Sequence, residues 1–248
     1  MATPMSEKLT LHVLRFSHPS RAAIRALELK GLDYELVELA PGPHNETMEE
    51  LYGEGNRTVP GLLVGEEPVH GSRAIFERLE QLRPDPPLYP TEAVREADRW
   101  GDAELQPLGR HLAWGALHFR PELLGALLTG EPLDPAGTDH AIRFIRGAWR
   151  YHGISCAVIA DDLAGLPAKI RHVEDLIENG VLDGEQPNAA DLQIASTLRV
   201  LLNIGDVSPL VEGGAAEQLA RRWFEGYEAS MPAGAFPAAW IPSPTARE

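Results

Sequence analysis

The chain has 248 residues, 22 of them basic and 37 acidic, so its formal net charge is −15. Proteins that bind nucleic acid or anionic membranes gain much of their affinity from basic side chains, and this acidic balance argues against both classes of partner. Hydrophobic residues make up 44% and charged residues 24%, which is typical of a folded globular protein and not of a disordered chain.

The only cysteine in the sequence is Cys156. One cysteine forms no intrachain disulfide, no CxxC redox pair and no cysteine-rich zinc site. Because it lies within an apolar helical segment, we expect it to be a small core residue. The first 16 residues contain no apolar stretch typical of a signal peptide, and no run of 18 apolar residues occurs. These features predict a cytoplasmic protein.

The first 82 residues predict an alternation of strands and helices. Residues 9–16 are apolar and β-branched and predict a strand, and apolar residues alternating with acidic ones predict another over residues 34–39. A helix is expected between them, with Pro19 in its first turn and Gly31 just past its end. The elements expected next are a helical turn (48–52), two strands (59–64 and 69–70) and a helix (73–82) capped by Ser72.

The stretch over residues 83–90 is rich in proline and indicates a domain boundary. We therefore expect an α/β domain over residues 1–84, a linker over residues 85–90 and an all-α domain over residues 91–248. The segments of this second domain that predict helices are 91–128, 139–163, 167–179, 188–204 and 215–227. The tail beyond them has too many prolines for a helix, and we expect it to lie irregularly along the surface.

Four stretches, in this order, resemble the cytosolic glutathione transferase family: FSHPSRAAIRALELKGLDYELVEL, NRTVPGLLVGEEPVHGSRAIFERLEQL, PPLYP and GEQPNAADLQIASTLRVLL. The resemblance covers nearly the whole chain. It implies a thioredoxin-like N-terminal domain followed by a helical bundle domain of the glutathione-transferase type. It also implies that glutathione, or a related low-molecular-weight thiol, is a co-substrate and that the site uses no metal.

Val59 and Pro60 resemble the cis-proline step of this family, where the residue before proline pairs its backbone with the peptide-like backbone of glutathione. Only bonds that precede proline adopt the cis form at low cost, about 0.5–1 kcal/mol. The alternative is a trans proline that opens an edge strand.

Ser72 resembles the serine at the start of the third helix of the family, which implies that its hydroxyl and nearby N–H groups hold the γ-glutamyl carboxylate. Arg73 is a further candidate for binding the tripeptide. Gly71 departs from the family pattern, which has Glu or Gln there, so no side chain at this position can receive the ammonium group of the ligand. The alternative is that Ser72 only caps the helix.

The second departure lies at the start of the first helix, where His18 stands in the position at which many family members have a catalytic Ser or Cys. Ser17 or Ser20 could donate a hydrogen bond to the thiolate of glutathione, and His18 could donate from its ring instead. The sequence leaves the three open, and an ordinary capping turn is the alternative to all of them. A cysteine-based reaction is excluded because no thiol is present at this site.

Other polar and aromatic residues favour structural roles. Asn188 and Asp191 have the spacing of a capping box, so we expect Asp191 to stabilise a helix start rather than to act as a catalytic acid. The histidines of the second domain show no metal-ligand spacing. Six aromatic residues either line an apolar pocket or form bundle core: Trp100, Trp114, Phe119, Phe144, Trp149 and Tyr151.

The leading hypothesis is an enzyme that conjugates the thiol to a small apolar electrophile, without a metal and without a covalent enzyme intermediate. A binding protein that keeps the fold but has no turnover is the alternative from another class, and a thiol-dependent isomerase is a third. The resemblance further implies a two-fold homodimer. Sequence position alone suggests residues near Arg73, Phe76 and Trp100 as contributors to its interface.

Overall fold

The computed structural model describes residues 8–227 and 229–243, apart from the side chains of residues 128 and 129. The predicted domain limits at residues 1 and 248 therefore lie outside the described residues. The chain divides into two compact units, Met1–Thr91 and Glu92–Glu248. No helix in the described part of the chain is both long enough and apolar enough to span a membrane.

The first unit contains a four-stranded mixed sheet with helices. Its elements in chain order are β1 (Leu9–Val13), α1 (His18–Leu29), β2 (Glu35–Glu38), α2 (His44–Tyr52), β3 (Gly61–Val64), β4 (Glu67–His70) and α3 (Ser72–Leu82). The strand order is β2-β1-β3-β4, with β1 and β2 parallel and the other pairs antiparallel. Pro68 lies in β4, an edge strand, where a missing N–H does least harm to the sheet.

Helix α1 forms where the sequence predicts it. It has Ser17 as its N-cap and Pro19 in its first turn, and its last residue is followed by Lys30 and Gly31. Its buried face includes Ala22, Ala26 and other small or apolar residues at helical spacing. The small side chains on this face let the helix pack closely within the unit.

The segment after α3 is held to the first unit by a buried lysine. The side chain of Lys30 is fully buried, and its Nζ lies 2.5 Å from Glu80 Oε2 and donates to the carbonyl of Pro86 at 2.6 Å. The same Glu80 oxygen accepts from the N–H of Leu88 at 2.9 Å. Burying this charge is tolerated because the carboxylate and the carbonyl satisfy it. The extent of the linker over residues 85–90 stays a prediction.

The second unit is helical over the residues described. Its helices are α4 (Glu92–Trp100), α5 (Gln106–Phe119), α6 (Leu123–Thr129), α7 (Pro135–Tyr151), α8 (Cys156–Glu178), α9 (Ala189–Leu201) and α10 (Ala215–Trp223), with a π-helical turn at Gly101–Leu105 between α4 and α5. In α9, every residue except Arg199 is buried. Because a helix that is buried on nearly all sides must have neighbours all round, α9 forms the centre of this unit.

The helix boundaries predicted around residues 139–179 are wrong. Helical structure ends after α7, where Gly153 has a φ of 64°. It begins again at α8, where Ser155 caps the helix by accepting from the N–H of Val158. Pro167 lies inside α8 rather than between two helices. Cys156 begins α8 and is exposed, so the expectation of a core cysteine is also wrong.

The prediction that the C-terminal tail lies along the surface is wrong for Met231, Ala235 and Phe236. Met231 and Phe236 are buried, and Met231 forms a β-bridge with Ile204. Both carboxylate oxygens of Asp206 are used, since they accept from the N–H groups of residues 234, 235 and 236 at 2.7–2.9 Å. One acidic side chain therefore fixes the turn that brings Phe236 into the core.

Candidate functional site

The register of the sheet brings three predicted site segments to one end of the first unit. His12 of β1 lies opposite Gly61 of β3, and Gly61 lies opposite His70 of β4. The ends of β1 and β4 and the start of β3 therefore share one end of the sheet, because both strand pairs are antiparallel. The segments that adjoin this end are the start of α1, the Val59-Pro60 step and the start of α3.

At the start of α1, the three candidate residues differ in exposure. Ser17 is half-buried, and its Oγ accepts from the N–H of Ser20 at 3.4 Å. Its own hydroxyl hydrogen has no acceptor among the residues described. His18 is only 6% exposed and Ser20 is completely buried, and Ser20 Oγ makes no hydrogen bond to a described residue. Of the three, Ser17 has the most side-chain surface open to a ligand.

The bond between Val59 and Pro60 is cis, as the family resemblance implies. The carbonyl of Pro60 accepts from the N–H of Gly71 at 2.9 Å. In contrast, the backbone N–H and C=O of Val59 make no hydrogen bond to any residue that the structure describes. Val59 also packs with Leu14, Met48 and Tyr52 in an apolar cluster, which anchors its side chain.

The start of α3 differs from the prediction that Ser72 caps it. Gly71 is the N-cap residue, no side chain caps the helix, and the carbonyl of Gly71 accepts the first helical bond from Ile75 at 3.0 Å. Gly71 has φ 90° and ψ 148°, a conformation that residues with a Cβ rarely adopt, and this accounts for the glycine at this position. Ser72 is the first residue of the helix and is buried.

Arg73 and Phe76 follow on α3 and are less available than expected. The guanidinium of Arg73 pairs with Glu77 of the same helix at 2.8 Å. Phe76 is completely buried within its own chain, so residues near it, and not its own side chain, are left to contact a second chain. Trp100 is half-buried and stacks edge-on against His172 of α8 at 4.4 Å between ring centroids.

Beneath the Val59 segment lies a buried pair that the sequence analysis missed. His12 Nδ1 and Tyr52 Oη are 2.7 Å apart. Burial lowers the pKa of His12, and burial raises the pKa of Tyr52, so both are neutral near pH 7 and the tyrosine hydroxyl donates to the imidazole. The Tyr52 ring lies so close to Gly61 that a Cβ there would come within 2.3 Å of Cζ. Only this close approach, invisible in the sequence, explains the glycine.

A second helix start, that of α9, is closed by its own side chains. Asn188 Oδ1 accepts from the N–H of Asp191 at 3.0 Å, and Asp191 Oδ2 accepts from the N–H of Asn188 at 2.9 Å, which confirms the predicted capping box. The other oxygen of Asp191 accepts from the N–H of Asp183 at 2.8 Å. Desolvation outweighs these bonds and raises the pKa of Asp191 to about 6.

Three of the six predicted aromatic residues of the second unit pack on one another. Trp149 donates from its indole N–H to the carbonyl of Trp114 at 3.0 Å, and Trp114 meets Phe144 edge-on at 5.3 Å. Phe119 contacts Phe236 of the tail. Nearby on α5, the imidazole of His111 pairs with Asp162 at 2.8 Å, a contact the sequence did not predict. None of the six predicted aromatic residues is among the buried residues of the unit, and Tyr151 is 46% exposed, so these contacts do not make them core residues.

The mixed sheet with its flanking helices defines a thioredoxin-like unit, and the helical unit after it completes the fold of the glutathione transferases. In comparison with solved structures, this chain is similar to the β-etherase LigF of Sphingobium sp. (18% identity, TM-score 0.58, covering 79% of this chain and 84% of that one). It is also similar to a glutathione S-transferase of Methylobacterium radiotolerans in complex with glutathione sulfonate (20% identity, TM-score 0.51, covering 91% and 95%). At these identities, the structures support the fold and nothing finer.

Sequence comparison assigns a domain family to the first unit. The model of the glutathione S-transferase N-terminal domain matches residues 11–87. Glutathione S-transferase Z1 of Arabidopsis thaliana is 35% identical over 100 residues, which are 39% of this chain and 44% of that relative. The chain thus matches less than half the length of this curated relative. The matched model places residues 11–87 in the family of glutathione S-transferase N-terminal domains, and the solved structures extend the likeness of fold over most of the chain.

Proposed function

We propose that the protein activates the thiol of glutathione, or of a related low-molecular-weight thiol, and transfers it to a small apolar electrophile. The observation that carries this proposal is that the backbone N–H and C=O of Val59 make no hydrogen bond to a described residue, beside a helix start whose N-cap, Gly71, has no side chain. Backbone groups are almost always paired when a segment is buried, so an N–H and a C=O without partners suit an extended peptide ligand.

Val59 and the start of α3 bind different parts of the tripeptide. The N–H and C=O of Val59 pair with the backbone of the ligand's cysteine residue. Its γ-glutamyl carboxylate lies at the first turn of α3, where the Ser72 hydroxyl and the helix N–H groups offer donors and the helix dipole favours negative charge. Because Arg73 is already paired with Glu77, it contributes a partly neutralised charge rather than a free cation.

Ser17 is the residue we assign to thiolate activation. Lowering a thiol pKa by about two units requires about 2.7 kcal/mol. A hydrogen bond to a charged group contributes about 1.5–3 kcal/mol and a helix N-terminus about 0.3–1 kcal/mol, so one hydroxyl at the start of α1 is enough. Ser17 Oγ accepts from the N–H of Ser20, which polarises the hydroxyl and leaves its hydrogen free to donate to sulfur.

In the reaction, the thiol proton leaves to solvent and the thiolate attacks the electrophilic carbon. The new C–S bond forms as the leaving group departs with its electron pair, and no bond to the enzyme is made. The role of the protein is to bind the tripeptide, orient its sulfur and stabilise the negative charge on it before attack.

The test is isothermal titration with glutathione followed by a conjugation assay on a generic aryl halide. Binding together with turnover supports the transferase. Binding without turnover supports the alternative of a binding protein. If glutathione is neither bound nor turned over, the physiological thiol is a different one. Titration with cysteinylglycine, which lacks the γ-glutamyl group, is the matched control, and we expect it to bind more weakly because nothing then occupies the start of α3.

We also propose a two-fold homodimer and a cytoplasmic location. The homodimer follows from the resemblance to glutathione transferases. The cytoplasmic location follows from the single cysteine, because a chain that forms no intrachain disulfide needs no oxidising compartment. Arg73 and Trp100 keep exposed surface for such an interface. Sedimentation equilibrium at micromolar concentration tests the assembly: a species with the mass of two chains supports it, and one with the mass of a single chain contradicts it.

A further inference from the structure

His70 lies against the proposed thiol site, and its Nε2 is engaged within the protein. It is the last residue of β4, and its Nε2 lies 2.7 Å from the carbonyl oxygen of Thr58 and 3.4 Å from Thr58 Oγ1. A carbonyl oxygen can only accept, so Nε2 carries the hydrogen and donates it. This nitrogen is therefore occupied by the protein's own backbone.

The bond to Thr58 fixes the direction of the next N–H group along the chain. The peptide unit between Thr58 and Val59 is planar, and it is not one of the cis bonds of the described chain, so its C=O and N–H point in opposite directions. Holding the carbonyl of Thr58 on one side therefore directs the N–H of Val59 to the other. That N–H is the group that we assign to the tripeptide.

The neighbouring residue completes a clamp around Val59. The N–H of Gly71 donates to the carbonyl of Pro60 at 2.9 Å, so His70 and Gly71 hold the carbonyls on both sides of Val59. The N–H and C=O of Val59 stay unpaired among the described residues. The corner between β4 and α3 thus carries the uncapped helix start and also holds the segment before β3 that we assign to the ligand.

Tyr52 limits how far this segment can move if the clamp is lost. Its ring packs against Gly61, its hydroxyl is bonded to His12, and its centroid is 6.1 Å from that of His70. The segment is thus backed on one side by an aromatic ring that is itself held, and a hydrogen bond is the contact that fixes the rotation of the Thr58 peptide plane.

We propose that His70 is a positioning residue of the thiol site, which orients the N–H of Val59 for the peptide ligand through its bond to the Thr58 carbonyl. The inference rests on the proposed function for its ligand, while the orientation itself can be tested without one. His70 should act on thiol binding and not on the chemical step, because the thiolate is activated from α1.

Three variants distinguish the effect of the His70 hydrogen-bond donor from that of its imidazole ring. His70→Leu removes the donor, His70→Gln places an amide N–H near the position of Nε2, and His140→Leu is the control, since His140 bonds only the carbonyl of Ala136 on its own exposed helix turn. For His70→Leu we expect the Kd and KM for glutathione to rise about tenfold, the ratio that corresponds to one lost hydrogen bond, with kcat changed less than about twofold. His70→Gln and His140→Leu should stay close to wild type.

A ligand-free measurement keeps the inference testable on its own. By amide ¹⁵N relaxation, the order parameter of Val59 should be about 0.85 in the wild type and in His70→Gln, and should fall below about 0.6 in His70→Leu. If the wild type binds neither glutathione nor another low-molecular-weight thiol, the proposed function fails, and these order parameters alone decide the positioning role. An ordered Val59 amide in His70→Leu, or equal loss of glutathione affinity in the folded Leu and Gln variants, would overturn it.

Discussion

The starts of α3 and α9 are alike in sequence and opposite in structure. Each has a small polar residue before a run of apolar positions. At α9, the side chains of Asn188 and Asp191 satisfy the helix start and reach a third N–H at Asp183. At α3, the N-cap is Gly71, which has no side chain to offer, and no cap bond forms.

The presence or absence of a side-chain cap decides whether a helix start stabilises the fold or can bind a ligand. A helix start whose donors are met by its own chain stabilises the fold and has nothing left for a ligand. A helix start without a side-chain cap gives up about 1 kcal/mol of stability and keeps a site for an anion. The conformation of Gly71 enforces the second case, since its positive φ leaves no low-cost way to place a capping side chain there.

The largest expected effect is that of Asp191→Ala. The variant leaves the N–H groups of Asn188 and Asp183 without their acceptor in a buried setting, and we expect a loss of about 3 kcal/mol in the free energy of unfolding. Denaturant unfolding measures this loss, and titration with glutathione should show unchanged affinity in the folded fraction. If Asp191→Ala kept its full stability but lost glutathione binding, the start of α9 would be a binding element and our assignment of the two helix starts would be wrong.

Ser17→Ala should have the next largest effect, on activity. Removing the hydroxyl takes away a bond to the thiolate of about 1.5–3 kcal/mol, so kcat/KM should fall about 10–100-fold, with a rise in the pKa of bound thiol. Ser20→Ala is the matched comparison: Ser20 is completely buried, so its kcat/KM should stay near wild type. Thiolate absorbance against pH, followed in both variants, measures the difference. Loss in Ser20→Ala alone would move the assignment from Ser17 to Ser20.

Ser72→Ala should weaken thiol binding about tenfold through the lost bond to the carboxylate, while costing about 1 kcal/mol or less in stability because Gly71 is the N-cap. Calorimetric titration and thermal unfolding of the same sample measure the two quantities. Wild-type affinity in this variant would remove Ser72 from the site.

The smallest effect is on the pH dependence of the free energy of unfolding, to which Asp191 and two histidines contribute with opposite sign. The folded pKa of Asp191 is about 6, above its usual value near 4. The folded chain therefore binds this proton more tightly than the unfolded chain, and the associated stability is present below about pH 4 and is lost as the pH rises through 6. Burial lowers the pKa of His12 and, to about 3, of His152, so these groups destabilise the fold as the pH falls below about 6.5.

Asp191→Asn isolates the carboxylate from the histidines. Between pH 7.5 and pH 5, the wild type should gain about 1 kcal/mol of stability relative to this variant. Urea unfolding at the two pH values measures the gain. A difference that does not change with pH, or one of opposite sign, would contradict the raised pKa.

Local patterns in the sequence were enough for the elements whose ends are set by neighbouring residues. The ends of α1 and the capping box of α9 were predicted because proline, glycine, asparagine and aspartate act within a few residues. The family resemblance supplied the cis step at Val59-Pro60. The order of strands and helices in the first unit followed from periodicity.

The features that were missed depend on residues far apart in the chain. Pro167 continues a helix because the packing of α8 outweighs one lost hydrogen bond, and Phe236 is buried because Asp206, 30 residues earlier, accepts from its N–H. The contacts of His70 with Thr58 and of His12 with Tyr52 span 12 and 40 residues, and neither has a spacing signal in the sequence.

The most direct test is amide chemical-shift mapping during a titration with glutathione, because it compares both helix starts in one sample. We expect the amide signals of Val59 and of residues 72–74 to shift and saturate together, while those of residues 188–191 stay in place. Saturation without shifts at Val59 and at the start of α3, or equal shifts at the start of α9, would contradict the assignment of one helix start to binding and the other to folding.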